Sequence, residues 1–396
     1  MMFSSKFFGA VLAIASVAHA ADSGCSSSST LQIQNQGDTS SLQGCTTYTG
    51  NVQIASQTSG IITLNGVTEI DGDFVVDGAT NMSSLAAPSL QTITGKFTLN
   101  NLQTLSSLSM PKLTSVGDLT FAGLPNLASL GFDGIVKQCK TLNIQNTFLS
   151  SLNGINLQTV NSVTIANNRM LQTLMFQVTS VPQSIILLAN GDQFDASFPN
   201  LETASNITFR SCKSLSIPSL KNVTGNLGFY ENSFATLDCA NLTSVGQTLA
   251  INANPSLTEI DLPILKTIGG GFQVQNNTKL DNATFPAVQT IGGALDFYGG
   301  FNTVGLPALK DCRGGFNLQS SGSVDCTPFN NEKGPNSVIK GTFKCYNKVS
   351  NPGNAASTPS GGNGTTTKGA AALLSVPSNT MLMSMAGILA GLMIMM

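Results

Sequence analysis

The chain has 396 residues, of which only 10% are charged, with 18 Lys and Arg against 20 Asp and Glu. With a net charge of −2 and no basic stripe, nothing in it is built to hold a phosphate backbone, so nucleic acid is excluded as a partner. The lone His, His19, falls in an N-terminal leader. The rest of the chain therefore lacks the residue on which Ser-His-Asp and Cys-His catalysis and His-ligated metal sites depend, and no cofactor is expected.

Lys6, the apolar run from Phe7 to Val17 and the small-x-small triplet Ala18-His19-Ala20 make a secretory signal peptide over residues 1–20. Cleavage after Ala20 is expected.

From residue 31 a short phrase recurs: two apolar residues flank one polar residue, often with Asn following. Its first apolar residue is read at Leu31, Val52, Phe74, Phe97, Leu119, Leu142, Val163, Ile186, Ile207, Leu227, Leu249, Phe272, Leu295 and Phe316, in steps of 20–23 residues. A fixed period in this range marks a solenoid. Alternation inside the phrase, rich in Thr, Val, Ile and Phe, marks a strand with one buried face. Between phrases lie segments such as Leu108-Ser109-Met110-Pro111 and Leu262-Pro263-Ile264-Leu265, where Pro forbids a helix and suits an extended corner. These features predict an all-β fold, a right-handed parallel β-helix of about fourteen coils, over residues 21–349. Gly269-Gly270-Gly271 reads as a turn before a strand, not as a phosphate-binding loop.

Asn35, Asn101, Asn146, Asn167, Asn190 and Asn276 follow the phrases at one coil position. They are expected to form an internal ladder that satisfies the backbone where the chain turns.

Seven Asn-x-Ser/Thr sequons occur, at Asn81, Asn206, Asn222, Asn241, Asn276, Asn282 and Asn363. In a secreted chain these are N-glycosylation acceptors where exposed. Asn206, Asn222 and Asn241 precede inward apolar residues and should point out. Asn276, placed on the ladder, should be buried and unmodified.

Eight cysteines in a secreted chain suggest disulfides. Cys25–Cys45 brackets the first coil and Cys326–Cys345 the last, and Cys212–Cys239 lies one coil apart. Cys139 and Cys312 sit roughly 38 Å apart by strand spacing, too far to bridge each other; if the other three bridges form, these two stay free as small buried residues.

Paired carboxylates offer the one catalytic option, polysaccharide cleavage. The candidates are Glu69, Asp71, Asp73 and Asp77, and the pair Glu259 and Asp261; Asp296 is flanked across the sheet by Gln273 and Asn317. Solvated turn and edge carboxylates are the better reading. The outward face of the main sheet gives two columns. One reads Thr98, Thr120, Asn143, Thr164, Leu187, Thr208. The other reads Arg210, Tyr230, Asn252, Gln275, Tyr298, Gln319, a run of aromatics and amides able to stack on and hydrogen-bond a glycan, set against ordinary sheet surface.

Residues 350–369 are rich in Ser, Gly, Asn, Thr and Pro and read as a stalk. The apolar stretch from Met381 to Met396 has no basic residue after it. Small residues, a spacer and a terminal apolar tail form a GPI-anchor signal over residues 370–396. Gly369 is the preferred attachment site and Asn363 the reserve.

The repeat, with Leu-Pro-x-Leu-x-x-Ile-Gly-Gly at 262–270 and Phe-Pro-Ala-Val-Gln-Thr-Ile-Gly-Gly at 285–293, resembles the receptor L-domain repeat, which is leucine-rich-repeat-like. Taken with the leader, the Cys25/Cys45 cap, the stalk and the anchor signal, the layout resembles the fungal GPI-anchored cell-wall organisation proteins of the ECM and sporulation-specific group. The resemblance implies a role in wall integrity without catalysis, at the outer face of the plasma membrane and in the wall. The partners it points to are wall glycan or mannoproteins, with the membrane reached through the lipid. A receptor-like ectodomain for a peptide ligand and a β-helix polysaccharide hydrolase or lyase are the alternatives.

Overall fold

A computed structural model describes residues 24–353, which fall within one compact unit. The leader, the cleavage point after Ala20, the stalk beyond Gly353, Asn363, Gly369 and the apolar tail lie outside the described residues.

The fold is a parallel β-solenoid. Fifteen strands stack in register, their leading residues being Leu31, Val52, Phe74, Phe97, Leu119, Leu142, Val163, Ile185, Ile207, Leu227, Leu249, Phe272, Leu295, Phe316 and Phe343. We call this stack face A. Two corrections to the expected register follow. Val163 pairs with Ile185, not Ile186, so Leu187 points into the core and Ile186 takes its place on the outer column. A last rung, Phe343–Tyr346, lies beyond the fourteen expected and pairs with Phe316–Ser320.

Each coil carries more than one strand. Before face A runs a second column, face B, through pairs such as Asn222–Val223, Ser244–Val245, Thr267–Ile268 and Thr290–Ile291; faces A and B belong to one 24-stranded sheet. The link between them is tight. A Cβ on Gly269 would sit 2.1 Å from the Gly246 carbonyl oxygen, and one on Gly292 would sit 2.1 Å from that of Gly269, so stacked coils come closer there than any side chain allows. A third column, face C, consists of short strands in separate small sheets, such as Thr236–Asp238 on Glu259–Asp261. The prolines expected to break the segment stand at the corner after face C, as Pro111 follows Ser107–Ser109.

Inward residues fill the interior without a gap in the column: Phe74, Phe97 and Phe121 are fully buried, with ring centroids 5.4 and 5.2 Å apart along the stack. Burial of each such side chain contributes about 1.5–3 kcal/mol. At the ends, a 3-10 turn, Gln36–Leu42, covers the first coils and a one-turn α-helix, Thr327–Asn330, lays Phe329 on Phe316 at 5.0 Å. Cys25–Cys45 and Cys326–Cys345 are bonded.

Cys212 and Cys239 are not bonded to each other; both are free and buried, as are Cys139 and Cys312. Cys212 follows face A and donates its backbone N–H to Asn232 Oδ1, whereas Cys239 follows face C beside Asp238. Proximity in coil number does not bring together residues on different corners.

The internal ladder exists one residue later than expected. Asn101, Asn146, Asn167 and Asn276 have φ of 53°, 53°, 57° and 55°, a left-handed conformation that Asn tolerates. Each turns the chain off face A. The following residue then points inward, and the buried ladder is Asn168–Asn190 and Asn232–Asn254–Asn277. Asn254 Oδ1 accepts from the Asn232 backbone N–H at 2.9 Å and from Asn232 Nδ2 at 2.9 Å. Its own Nδ2 donates to the Phe229 carbonyl at 3.2 Å and to Asn277 Oδ1 at 3.0 Å. Asn190 alone of the expected set is a buried rung of this ladder; Asn35 instead caps the 3-10 turn.

Candidate functional site

The column Arg210, Tyr230, Asn252, Gln275, Tyr298 and Gln319 is continuous on face A, each residue paired in register with the next. It extends one rung further, to the exposed Tyr346, which the sequence reading missed because the end cap separates its rung from Phe316. The parallel column beside it reads Gly228, Ala250, Gln273, Asp296, Asn317, Lys344.

The two columns are knit together. Asp296 accepts from Asn317 Nδ2 at 2.6 Å and from Gln275 Nε2 at 2.7 Å. Tyr298 donates its hydroxyl to Gln275 Oε1 at 2.9 Å, and Gln319 Nε2 donates to Asn317 Oδ1 at 2.9 Å. Asn252 Nδ2 donates to Gln273 Oε1 at 3.1 Å. Burial raises the Asp296 carboxyl above its ordinary range, against the pull of the Asn317 and Gln275 bonds. Burial also raises the Tyr298 phenol, helped by neighbouring Asp296, and the Tyr230 phenol, opposed by Arg210.

Tyr230 lies flat along its strand: a Cβ on Gly228 would sit 2.3 Å from its ring. Glycine at 228 is what lets the ring settle on the sheet and present its other side outward. Arg210 is forked onto Glu231 at 2.8 and 2.6 Å. The middle of face A is plainer, with Ala122, Gln145, Ala166 and Leu188 in the second column.

The sequons sort by face. Among the described residues, Asn81, Asn206, Asn241, Asn276 and Asn282 are exposed and Asn222 is half-buried. Asn276, expected inside, is outside, because the left-handed turn places its successor Asn277 in the core. None of the six belongs to either outward column of face A. Asn206 and Asn276 stand at its two margins, one residue before Ile207 and one after Gln275, and the others lie on face B, face C or their corner.

Four of the candidate carboxylates accept hydrogen bonds from neighbouring rungs. Asp71 accepts from Thr94, Asp73 from the Lys96 N–H, Asp77 from Asn100 and Glu69 from Thr47. Glu259 and Asp261 belong to face C, opposite Thr236 and Asp238. Asp296 has amides on both sides, Gln273 and Asn317, so its columns hold no second carboxyl for the paired chemistry of glycoside cleavage. A depression of about 320 Å³ opens on face B, lined by Thr94, Ser115, Gln138, Cys139, Lys140 and Asn161 among others, where the strand register shifts between Val136 and Gln138.

Comparisons with known proteins converge on one group. Protein ecm33 of Aspergillus fumigatus is 39% identical over 342 residues, covering 85% of this chain and 84% of its own. A cell surface GPI-anchored protein of Arthroderma benhamiae is 36% identical over 391 residues, 98% of this chain and 99% of its own. The cell wall protein ecm33 of Schizosaccharomyces pombe is 33% identical over 263 residues, 66% of this chain and 62% of its own. No family model matches the chain. A crystal structure of a leucine-rich repeat protein from Bacteroides ovatus aligns with 75% of this chain and 87% of its own, at 14% identity and a TM-score of 0.23; the fold assignment rests on the rung register instead.

Proposed function

The chain belongs to the Ecm33 family of cell-wall and GPI-anchored cell-surface proteins, and from that premise we propose that it organises the wall without catalysis, by holding a neutral wall glycan along face A. Its place is the cell surface and wall. The leader over residues 1–20 and the lipid at Gly369, with Asn363 in reserve, would put it there.

One observation carries the glycan reading: the outward columns that bear Tyr230, Tyr298 and Tyr346 amid amides bear no glycosylation acceptor. A surface carpeted with its own sugars could not dock flat against another chain. Aromatic faces supply stacking and side-chain amides supply paired donors and acceptors. From Arg210 onward the charges of this face are Arg210, forked onto Glu231, Asp296, which accepts from two side-chain amides, and Lys344, a mixed and largely compensated set that suits a neutral polysaccharide better than an acidic one. Rungs repeating at about 4.8 Å offer equivalent contacts to a polymer lying along the stack, which gives affinity through repetition.

The test is binding of laminarin, a soluble β-glucan, to the full-length protein and to Tyr230→Ala/Tyr298→Ala. Loss of binding in the double variant supports the reading. Unchanged binding, or capture of a wall mannoprotein by both forms and of laminarin by neither, overturns it.

A further inference from the structure

Gly228 and Tyr230 lie two residues apart on the strand Leu227–Tyr230, so both belong to the outer side of face A. The Tyr230 ring folds back over Gly228. A Cβ there would lie 2.3 Å from Cε2 and 2.8 Å from both Cζ and Oη, and these three ring atoms are the nearest it would meet. The sheet itself has room for a side chain in this column: Ala250 fills the same place on the next rung and Thr208 on the rung before. Nor is the Gly228 backbone left-handed. Glycine at 228 therefore serves the ring and not the fold.

Beside the ring stands an unmatched acceptor. Asn252, the next rung of the Tyr230 column, donates Nδ2 to Gln273 Oε1 at 3.1 Å, while its Oδ1 is buried and has no donor among the described residues. Buried polar atoms are nearly always paired, so one left open on a candidate binding face calls for a partner. We propose that Tyr230 and Asn252 make one saccharide subsite, with Gly228 as the residue that positions its platform. An uncharged pyranose stacks its flat C–H face on the outward side of the Tyr230 ring, and one of its hydroxyls donates to Asn252 Oδ1 as that amide turns outward. The proposal rests on the glycan reading above and adds where on face A a sugar unit is gripped. A ring laid along the strand sets the plane of that sugar parallel to the sheet, the orientation in which a polymer reaches the neighbouring rungs.

Gly228→Ala separates the platform from the fold. Its methyl group must push the ring off the sheet, and the strand stays paired because only the far end of a flexible side chain has to move. In the full-length protein, nitration by tetranitromethane, mapped by mass spectrometry, reads the ring without any ligand, with the exposed Tyr346 as internal reference between the two forms. Burial holds the Tyr230 phenol above its ordinary range, and lifting the ring relieves it, so Gly228→Ala should nitrate faster at Tyr230. Its laminarin affinity should fall roughly two- to tenfold, the range for one aromatic contact. Asn252→Ala should weaken laminarin binding with Tyr230 nitration unchanged. In the unaltered protein, laminarin should protect Tyr230 from nitration, a measurement that stands even where a variant fails to fold.

Unchanged nitration at Tyr230 in Gly228→Ala overturns the positioning role and leaves the glycan reading standing. Raised nitration with unaltered laminarin affinity overturns the stacking, and so does laminarin that binds the unaltered protein but leaves Tyr230 unprotected. Unchanged laminarin affinity in Asn252→Ala overturns the hydrogen bond to Oδ1. Laminarin bound by none of the three forms overturns the glycan reading and the subsite with it.

Discussion

Asn254→Ala tests the internal ladder, the element most specific to this solenoid. Asn254 is fully buried. Its removal strips the Asn232 backbone N–H of its acceptor at 2.9 Å and takes one donor, at 3.2 Å, from the Phe229 carbonyl. The Asn232 amide keeps its bond to Phe209, and Asn277 Oδ1 keeps the Asn254 N–H, so the damage is confined to one coil interface. An orphaned buried donor costs about 1–3 kcal/mol and a lost net hydrogen bond about 0.5–1.5. The sum is a loss of about 2–4 kcal/mol. Asn276→Ala is the matched control one coil on. Asn276 is exposed and left-handed, so alanine there loses about 1 kcal/mol of backbone preference and no buried bond. Urea unfolding followed by far-UV circular dichroism gives both values, and hydrogen exchange at 229–232 shows whether the damage is local, as nearest-neighbour stacking requires. Equal losses in the two variants, or an Asn254→Ala loss below about 0.5 kcal/mol, would refute the assignment of the ladder.

Four further outcomes are expected. The thiols of Cys139 and Cys212 are pushed up to about 12 and that of Cys312 to about 11 by burial, and that of Cys239 is raised as well; none should react with a thiol reagent at pH 8 until denaturant is added, and fast native labelling would contradict the packing. Because the folded state raises the Asp296 carboxyl, the native form binds its proton more tightly, so its contribution to stability is complete below the ordinary Asp range and declines as pH rises through the raised value. Asp296→Asn should flatten the stability profile across that interval, which thermal melts at stepped pH will show. Arg210→Ala should cost at most about 1 kcal/mol, since both partners of its ion pair are about half exposed. Removing Cys326–Cys345, which closes a loop of 19 residues, should cost about 3 kcal/mol in the chain-entropy description, with exchange rising first in Phe343–Tyr346.

The period was legible because alternation fixes both spacing and phase. It failed where alternation failed: Ile185, Ile186, Leu187 and Leu188 are four apolar residues in a row, and no polar residue marks which pair faces in. The ladder was misplaced by one because the sequence cannot show that the first Asn of a pair such as Asn276-Asn277 is left-handed. That one dihedral exchanges inside for outside, and it also decided the exposure of the Asn276 sequon. The column from Arg210 to Gln319 was correct because its rungs are all well phased. Its continuation to Tyr346 was hidden by a step of 27 residues from Phe316 to Phe343, into which the cap helix is inserted.

The Cys326–Cys345 bond gains meaning from the order in which the chain leaves the fold. Were the chain held by lipid at Gly369, as proposed, load would enter at its C-terminal end, and the first strand to feel it would be Phe343–Tyr346, which pairs with Phe316–Ser320 on one side only. Parallel coils loaded from an end ravel singly, like a knitted hem, each giving up its slack to the next. Cys345 sits within that outermost strand and is bonded back to Cys326 at the foot of the cap helix. Traction arriving at residue 345 would thereby pass straight to Cys326, on the far side of the cap helix whose Phe329 packs on Phe316. Under such load the seam would be locked before the first full coil could run.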